Sequence, residues 1–273
     1  MKVKSTYVRY ERIILGLCGV SFILLGWEGL ERGWWSDLLR PLWGEHAESL
    51  HIKRIFISSP SLVASAAYQM FFVSGEIWSD LAASGMEFLL GLGTAVLIGV
   101  PLGLTVGWYR KLSYCLSPFI AGLNATPQVA FLPLFVIWFG TGLGTKVLII
   151  VLLAVLPIAI NAEAAVRTTD SRLVRLARSF SASDAKLFLS VVLPTAIPFV
   201  ISGLRLAVGR AMIGIVVAEV YGSAGGMGMM MSQSGSRFET DRVFVGVLTI
   251  VAVGLLCAEL LRLVEQRLEH WRA

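Results

Sequence analysis

Charged residues are scarce in this chain, and their scarcity limits the classes of protein it can belong to. Asp, Glu, Lys and Arg make up 15% of the 273 residues, whereas a soluble domain carries about a quarter. Hydrophobic residues make up 56%, and several apolar runs approach the ~20 residues that cross a bilayer as a helix. The composition therefore excludes an ordinary soluble domain and predicts a membrane protein.

Residues that carry enzyme chemistry are also scarce. The chain has three histidines, none of them inside an apolar run, and it has no H-E-x-x-H or C-x-x-C motif. No lysine follows a glycine, so the chain has no Walker A loop that could bind ATP phosphates. Clustered histidines and acidic pairs are missing from the apolar runs as well. We therefore expect neither a membrane enzyme nor a bound metal or cofactor.

Six apolar runs are long enough to cross ~30 Å of hydrocarbon as helices. The predicted spans are about 12–30, 79–108, 113–139, 145–166, 195–221 and 243–264. The first run follows basic residues as in a signal peptide, but no small-x-small cleavage site comes after it, so we expect an uncleaved helix. The predicted fold class is an all-α membrane protein with about six transmembrane helices.

The positions of the cations predict the orientation. They cluster in residues 2–12, the 110–111 turn, the 167–186 loop and the C-terminal tail, whereas the remaining loops carry mixed charge. The positive-inside rule therefore predicts that both termini are cytoplasmic. Residues 1–78 are expected to hold the first span and an external interfacial segment, and residues 79–273 the other spans. No basic patch is interleaved with aromatic residues, so we expect no nucleic-acid partner.

Two of the predicted spans carry strips of small residues at helical spacing. The strip of the second span consists of Gly91, Ala95, Gly99, Gly103 and Gly107, and that of the fifth of Gly203, Ala207, Ala211, Gly214 and Ala218. Such strips allow the backbone of another helix to approach closely. Packing inside one subunit and contact between two subunits are both open interpretations.

Polar residues inside the spans are candidates for a translocation pathway. An ionisable side chain in hydrocarbon costs ~2.5–3.5 kcal/mol, so it normally faces a cavity or a partner. The third span also contains a polar break with a proline, at 124–128, of a kind tolerated where it lines a cavity or is buried in protein. The pathway candidates are Asn124, Gln128, Arg205, Arg210 and Glu219. Buried hydrogen bonds between helices are the alternative role for these residues.

A basic segment, 167–186, separates the fourth and fifth spans. The pattern predicts a short helix that Asp170 or Ser171 can cap. Its apolar residues stand at i, i+3 and i+7: Leu173, Leu176 and Phe180. A helix with such an apolar stripe is typical of docking into a groove. The alternative is a solvated loop that only fixes the topology.

The spacing of this segment resembles a motif of ABC importer membrane subunits, which reads E-A-A, three residues, G, nine residues, I-x-L-P. Here Arg175-Leu176-Ala177 is followed by Ser181 and by Val191-x-Leu193-Pro194, without a gap. Arg175 and Ser181 depart from the motif's Glu and Gly. Six further segments, within about residues 58–271, resemble the nitrate, sulfonate, taurine and bicarbonate branch of the family: Ser74–Trp78, Pro127–Leu134, Trp138–Gly140, Leu156–Ile158, Gly203–Leu206 and Ala218–Val220.

The resemblance implies a type I ABC importer transmembrane domain with its coupling loop at about 167–194. In such subunits the motif forms a coupling helix that docks into a groove of a separate ATPase. The residues to which this implies an ATPase-coupling role are Leu173, Arg175, Leu176, Ala177, Phe180, Ser181, Leu193 and Pro194. Because Arg175 replaces a Glu, we expect an acidic residue opposite it.

The resemblance also implies partners and a function. The partners would be two ATPase subunits, an external substrate-binding protein, a second copy of this chain and the lipid bilayer. We therefore expect a non-catalytic permease subunit in the inner membrane that moves a small anion or organic acid. A secondary transporter of a small solute is the alternative, although we find no internal repeat.

Overall fold

The computed structural model describes residues 2–43, 54–222 and 225–269, and those residues contain helices and short connections but no strand. The three histidines, His46, His51 and His270, lie outside these ranges. The helices are α1 Lys2–Arg32, α2 Trp34–Trp43, α3 Arg54–Ile57, α4 Pro60–Tyr68, α5 Glu76–Trp108, α6 Arg110–Ala125, α7 Leu132–Phe139, α8 Leu143–Arg167, α9 Ser171–Ser179, α10 Asp184–Leu187, α11 Leu193–Tyr221, α12 Met227–Ser236 and α13 Thr240–Glu269.

The prediction of about six spans is confirmed within the described ranges. Five helical stretches are long and apolar enough to cross a membrane: Ile13–Arg32, Glu76–Trp108, Leu143–Arg167, Asp184–Tyr221 and Thr240–Arg267. A sixth span is broken, because Arg110–Ala125 and Gln128–Phe139 meet at 90°. The all-α fold class is therefore correct.

This break, in the third of the predicted spans, lies at the polar sequence 124–128 that predicts it. Thr126, which precedes Pro127, has extended geometry (φ −81°, ψ 141°), because a proline disfavours the helical conformation in the residue before it. The Thr126 amide still donates to the Gly122 carbonyl at 3.1 Å and closes α6. The chain then continues through a 3₁₀ turn, Gln128–Phe131, into α7.

The fifth span, predicted at about 195–221, is confirmed as α11, Leu193–Tyr221, but the helical stretch that contains it begins earlier. The sequence prediction begins it at about 195, but the helix already starts at Asp184 and continues through a π-helical segment, Phe188–Val192, into α11. Ser183 caps the start, since its hydroxyl accepts from the Lys186 amide at 3.3 Å. A proline inside a helix normally breaks one backbone hydrogen bond, and the π-helical segment accommodates this loss just before Pro194.

The chain divides into two compact units, residues 1–77 with 231–247 and residues 78–230 with 248–273. In the first unit, the α1–α2 turn at Gly33 has a φ of 75°. The Trp35 indole donates to the Gly26 carbonyl at 3.0 Å, so α2 folds back onto α1. The Trp27 indole donates to the Ile57 carbonyl at 3.2 Å, and Glu28 accepts from the Ser61 hydroxyl at 2.7 Å. The interfacial location of this segment stays a prediction.

In the second unit, α8 is the central helix, and both small-residue strips pack against it. A Cβ added at Gly103 would lie 2.2 Å from the Ala159 carbonyl oxygen. One added at Gly214 would lie 3.3 Å from the Ile150 Cα. The glycines of both strips therefore face α8 directly. Of the two open interpretations of the strips, packing inside one subunit is confirmed.

Candidate functional site

Helix α9 lies where the sequence predicts the coupling helix, and local interactions define its start. The Asp170 carboxylate accepts from the Arg172 amide at 2.8 Å, which satisfies one of the free N–H groups of the first turn. Of the two predicted capping residues, Asp170 is the one that caps. The helix then runs from Ser171 to Ser179, as the periodicity predicts.

The end of α9 explains why the related motif has a glycine at the position of Ser181. Ser181 has a φ of 55°, in the left-handed region. Its amide donates to the Arg178 carbonyl at 2.9 Å, and the Ala182 amide donates to the Ala177 carbonyl at 3.2 Å. These two hydrogen bonds form a Schellman motif, whose left-handed residue is usually glycine. A serine there bears a strain of about 1–2 kcal/mol.

The two sides of α9 have different surroundings. Val174 and Ala177 are partly buried and pack against a core cluster that includes Leu187 and Val192. An adjacent side is exposed and carries three apolar residues, which we call the apolar edge: Leu173, Leu176 and Phe180, exposed by 43%, 55% and 78%. Of the predicted coupling residues, Ala177 therefore holds α9 against its own chain, whereas the apolar edge faces outward.

Three arginines line the exposed surface beside the apolar edge, and we call them the arginine edge: Arg172, Arg175 and Arg178. Their spacing of three residues places them along one side of the helix. The Arg175 guanidinium donates to the Ser171 hydroxyl at 3.1 Å, and Arg178 lies 3.8 Å from the Asp184 carboxylate. Both contacts are at the surface, where such pairs stabilise little, so the arginine edge is available to a partner.

Leu193 and Pro194, the last two residues of the motif, stand at the start of α11. Leu193 is partly buried and packs against the same core cluster as Val174 and Ala177. Pro194 is exposed and occupies the first turn of α11, where a proline is tolerated. Leu193 therefore joins the start of α11 to the core against which α9 packs.

Two of the five pathway candidates come together at the broken span. The Arg210 guanidinium on α11 donates to the Asn124 side-chain oxygen at 3.0 Å, and Asn124 is exposed. Gln128, by contrast, is buried, and its amide donates to the Leu123 carbonyl at 3.2 Å. The buried hydrogen-bond interpretation therefore fits Gln128, which stabilises the end of α6.

The charges of the other two pathway candidates are accommodated inside the chain. Arg205 forms an ion pair with Glu265 of α13, which also accepts from the Ser202 hydroxyl at 3.4 Å. Glu219 is completely buried and accepts from the Ser84 hydroxyl at 2.5 Å and from the Gly228 amide at 2.6 Å. The charge of Arg205 is therefore balanced by a carboxylate, whereas Glu219 accepts hydrogen bonds from two neutral donors.

Sequence reasoning missed a buried ion pair close to Glu219. The Lys146 ammonium donates to the Glu87 carboxylate at 2.8 Å, with side-chain exposures of 2% and 5%. Lys146 also donates to the Gly225 carbonyl at 3.2 Å, which ties the turn after α11 to α8. One signal was in the sequence, because Glu87 interrupts the second apolar run.

The turn after α11 is held by the same polar residues. Gly225 and Gly226 have positive φ values of 53° and 108°. The Gly226 amide donates to the Asp80 carboxylate at 3.1 Å, and a Cβ there would lie 2.3 Å from the Glu219 carboxylate. Glu219, Lys146 and Asp80 therefore fix the turn after α11 to helices α5 and α8.

The chain is similar to known transport proteins. Residues 95–270 match the model of the family described as binding-protein-dependent transport system inner membrane component. The taurine transport system permease protein of Escherichia coli (strain K12) is 33% identical over 87% of this chain and 85% of its own length. A protein of Bacillus subtilis (strain 168), described as an aliphatic sulfonates transport permease, is 31% identical over 88% of each chain.

Two further similarities concern the range of cargoes and the fold. The riboflavin transport system permease protein of Chloroflexus aurantiacus is 34% identical over 80% of this chain and 81% of its own length. A subunit of the MetNI methionine ABC transporter superposes with a TM-score of 0.55, covering 75% of this chain and 98% of that one, at 19% identity. That structural likeness supports the fold alone.

Proposed function

Because the chain belongs to the family of binding-protein-dependent transport system inner membrane components, we propose that α9 couples it to a separate ATPase. The chain is a permease subunit of an ABC importer, with several apolar helices able to span the inner membrane. The chain has no Walker A loop, which leaves ATP hydrolysis to a partner. The complete assembly that we propose contains two copies of this chain, two ATPase subunits on the cytoplasmic side and a substrate-binding protein on the external side.

The exposed apolar edge of α9 is the observation that carries this proposal. Phe180 and Leu176 are more than half exposed, although Val174 and Ala177 pack α9 against the core cluster. Apolar side chains on a fixed helix are the usual anchors of helix-in-groove recognition. Such anchors contribute most when the groove removes them completely from water.

The arginine edge adds a prediction about the groove. Arg172, Arg175 and Arg178 lie beside the apolar edge, so the rim of the groove should carry carboxylates. A motif with Glu at position 175 would require a cation instead. The cognate ATPase therefore differs from those that serve subunits with the usual motif.

The cargo we propose is a small anion or organic acid. The permeases described for taurine and aliphatic sulfonates support this class, and the riboflavin permease shows that cargo varies among relatives. An intramembrane arginine, Arg210, also favours an anion over a cation. ATP-driven movement of the two α9 helices would switch the spans between inward and outward opening.

Reversal of one charge on α9 tests the coupling. Arg175→Glu should weaken co-purification of the co-expressed ATPase and reduce ATP-dependent uptake, because it sets a carboxylate against an acidic rim. Arg110→Glu is the matched control, since Arg110 is also exposed and lies on α6. Equal ATPase recovery and uptake for Arg175→Glu and the unmodified chain would refute the acidic rim. ATP-independent uptake by the chain alone would favour the secondary-transporter alternative.

A further inference from the structure

Arg210 differs from the other cations of the intramembrane helices around it. Arg205 is paired with Glu265, and Lys146 with Glu87. Arg210 contacts a neutral amide, Asn124, and no carboxylate within the described ranges balances its charge.

Arg210 lies deep along the membrane-crossing helix α11, where an unbalanced charge is costly. It lies 11 residues before Tyr221, the last residue of α11, or about 16 Å at ~1.5 Å per residue. That distance is about half of the ~30 Å hydrocarbon thickness. A cation near the middle of the bilayer is costly unless it faces water, a counter-ion or protein.

The pair lies at the exposed surface of the chain. Asn124 is exposed and is the second-last residue of α6, two residues before the break at Thr126. A Cβ added at Gly122, two residues before Asn124, or at Gly209, next to Arg210 in the chain, would have no atom within 4 Å. The guanidinium and the amide therefore offer hydrogen-bond donors next to free space, at the one place where the described membrane-crossing helices are sharply bent.

We propose that Arg210 and Asn124 form an anion-binding site on the transport path. A guanidinium donates two parallel hydrogen bonds to the oxygens of a carboxylate or a similar oxyanion. The neutral amide of Asn124 holds the guanidinium without cancelling its charge, whereas the carboxylate of Glu265 neutralises that of Arg205. The ligand class is a small organic oxyanion, such as a sulfonate. This inference rests on the proposed transport function and assigns it a site.

Cysteine labelling with charged reagents tests the site without knowledge of the natural cargo. The reporter is Gly122→Cys in a chain whose Cys18, Cys115 and Cys257 are replaced by serine, assembled with its ATPase in liposomes. Labelling rates are measured with the anionic sulfonatoethyl and the cationic trimethylammonioethyl methanethiosulfonates, each divided by its rate with a free thiol.

The expected result is a preference of about tenfold or more for the anionic reagent, because a guanidinium lies near the reporter. Arg210→Gln should abolish the preference and Arg210→Lys should keep it. Arg262→Gln, which removes a cation from α13 that pairs with Glu259, should leave it unchanged. Millimolar ethanesulfonate should slow the labelling, whereas neutral dimethyl sulfone should not.

Two results would overturn the proposal. Lack of labelling by either reagent would mean that lipid or a second copy of the chain covers the site. Equal labelling by both, or a preference that survives Arg210→Gln, would remove Arg210 from the role. ATPase recovery in the same preparations separates this outcome from failure of the coupling proposal, since α9 and Arg210 are probed by different readouts.

Discussion

Replacement of Ser181 by glycine should stabilise the end of α9. The left-handed conformation of Ser181, with a φ of 55°, costs an L-residue about 1–2 kcal/mol. Glycine avoids that cost but loses more conformational entropy on folding, about 0.5–1 kcal/mol. The difference predicts a net stabilisation of about 0.5–1 kcal/mol for Ser181→Gly.

Amide hydrogen exchange is the assay that reports this change locally. The Ser181 and Ala182 amides donate to the Arg178 and Ala177 carbonyls in the motif that ends α9. Their exchange should slow by about two- to fivefold in Ser181→Gly, as the net free energy implies. Exchange in α8, around Ile150, should not change, because that core lies apart from the substitution.

A series at the same position tests the physical cause. Asparagine tolerates the left-handed region better than other residues with a Cβ, so protection should follow the order Gly, Asn, Ser. Ser181→Ala should give no more protection than serine, because alanine has the same steric conflict. Faster exchange in Ser181→Gly than in the unmodified chain, or greater protection in Ser181→Ala, would refute the strain argument.

Two more substitutions test the packing around α8, both by thermal unfolding of the purified protein. Gly103→Ala should destabilise the protein by about 2 kcal/mol or more, because the added Cβ would lie 2.2 Å from the Ala159 carbonyl oxygen. Gly93→Ala is the control and should be neutral or stabilising, because nothing lies within 4 Å of its Cβ. Equal effects of the two substitutions would contradict the close approach of α5 to α8. Lys146→Met should cost about 3–5 kcal/mol by leaving the buried Glu87 carboxylate unpaired, and adding Glu87→Met should recover part of it. A double variant less stable than Lys146→Met would be evidence against a coupled pair.

The fold was largely predictable because the bilayer fixes the length of its helices. A run of about 20 apolar residues has few alternatives in hydrocarbon, so the spans follow from composition. The break before Pro127 was also predictable, because a proline restricts the residue ahead of it. The helical extension from Asp184 to the start of α11 was not, because it passes through a π-helical segment, Phe188–Val192, that no apolar run predicts.

The candidate site was predictable only where its geometry is local. The cap at Asp170 and the apolar edge follow from spacing along nine residues of one helix. The pair of Glu87 and Lys146 joins residues 59 positions apart, and no periodicity connects them. The strips of small residues did not identify the helix they pack against. Their spacing shows that a helix packs closely against another one, but it does not show which one.

The two departures from the coupling motif have different physical consequences. Ser181 affects only the backbone at the end of α9, so its strain can be relieved by a substitution in this chain alone. Arg175 is exposed and holds only a surface contact to Ser171, so the effect of its charge depends on the partner. Ser181→Gly should therefore act identically with or without the ATPase, whereas Arg175→Glu should be tolerated in the isolated chain and be harmful in the assembly. Restoration of that assembly by a cation introduced on the ATPase rim would identify the residue opposite Arg175.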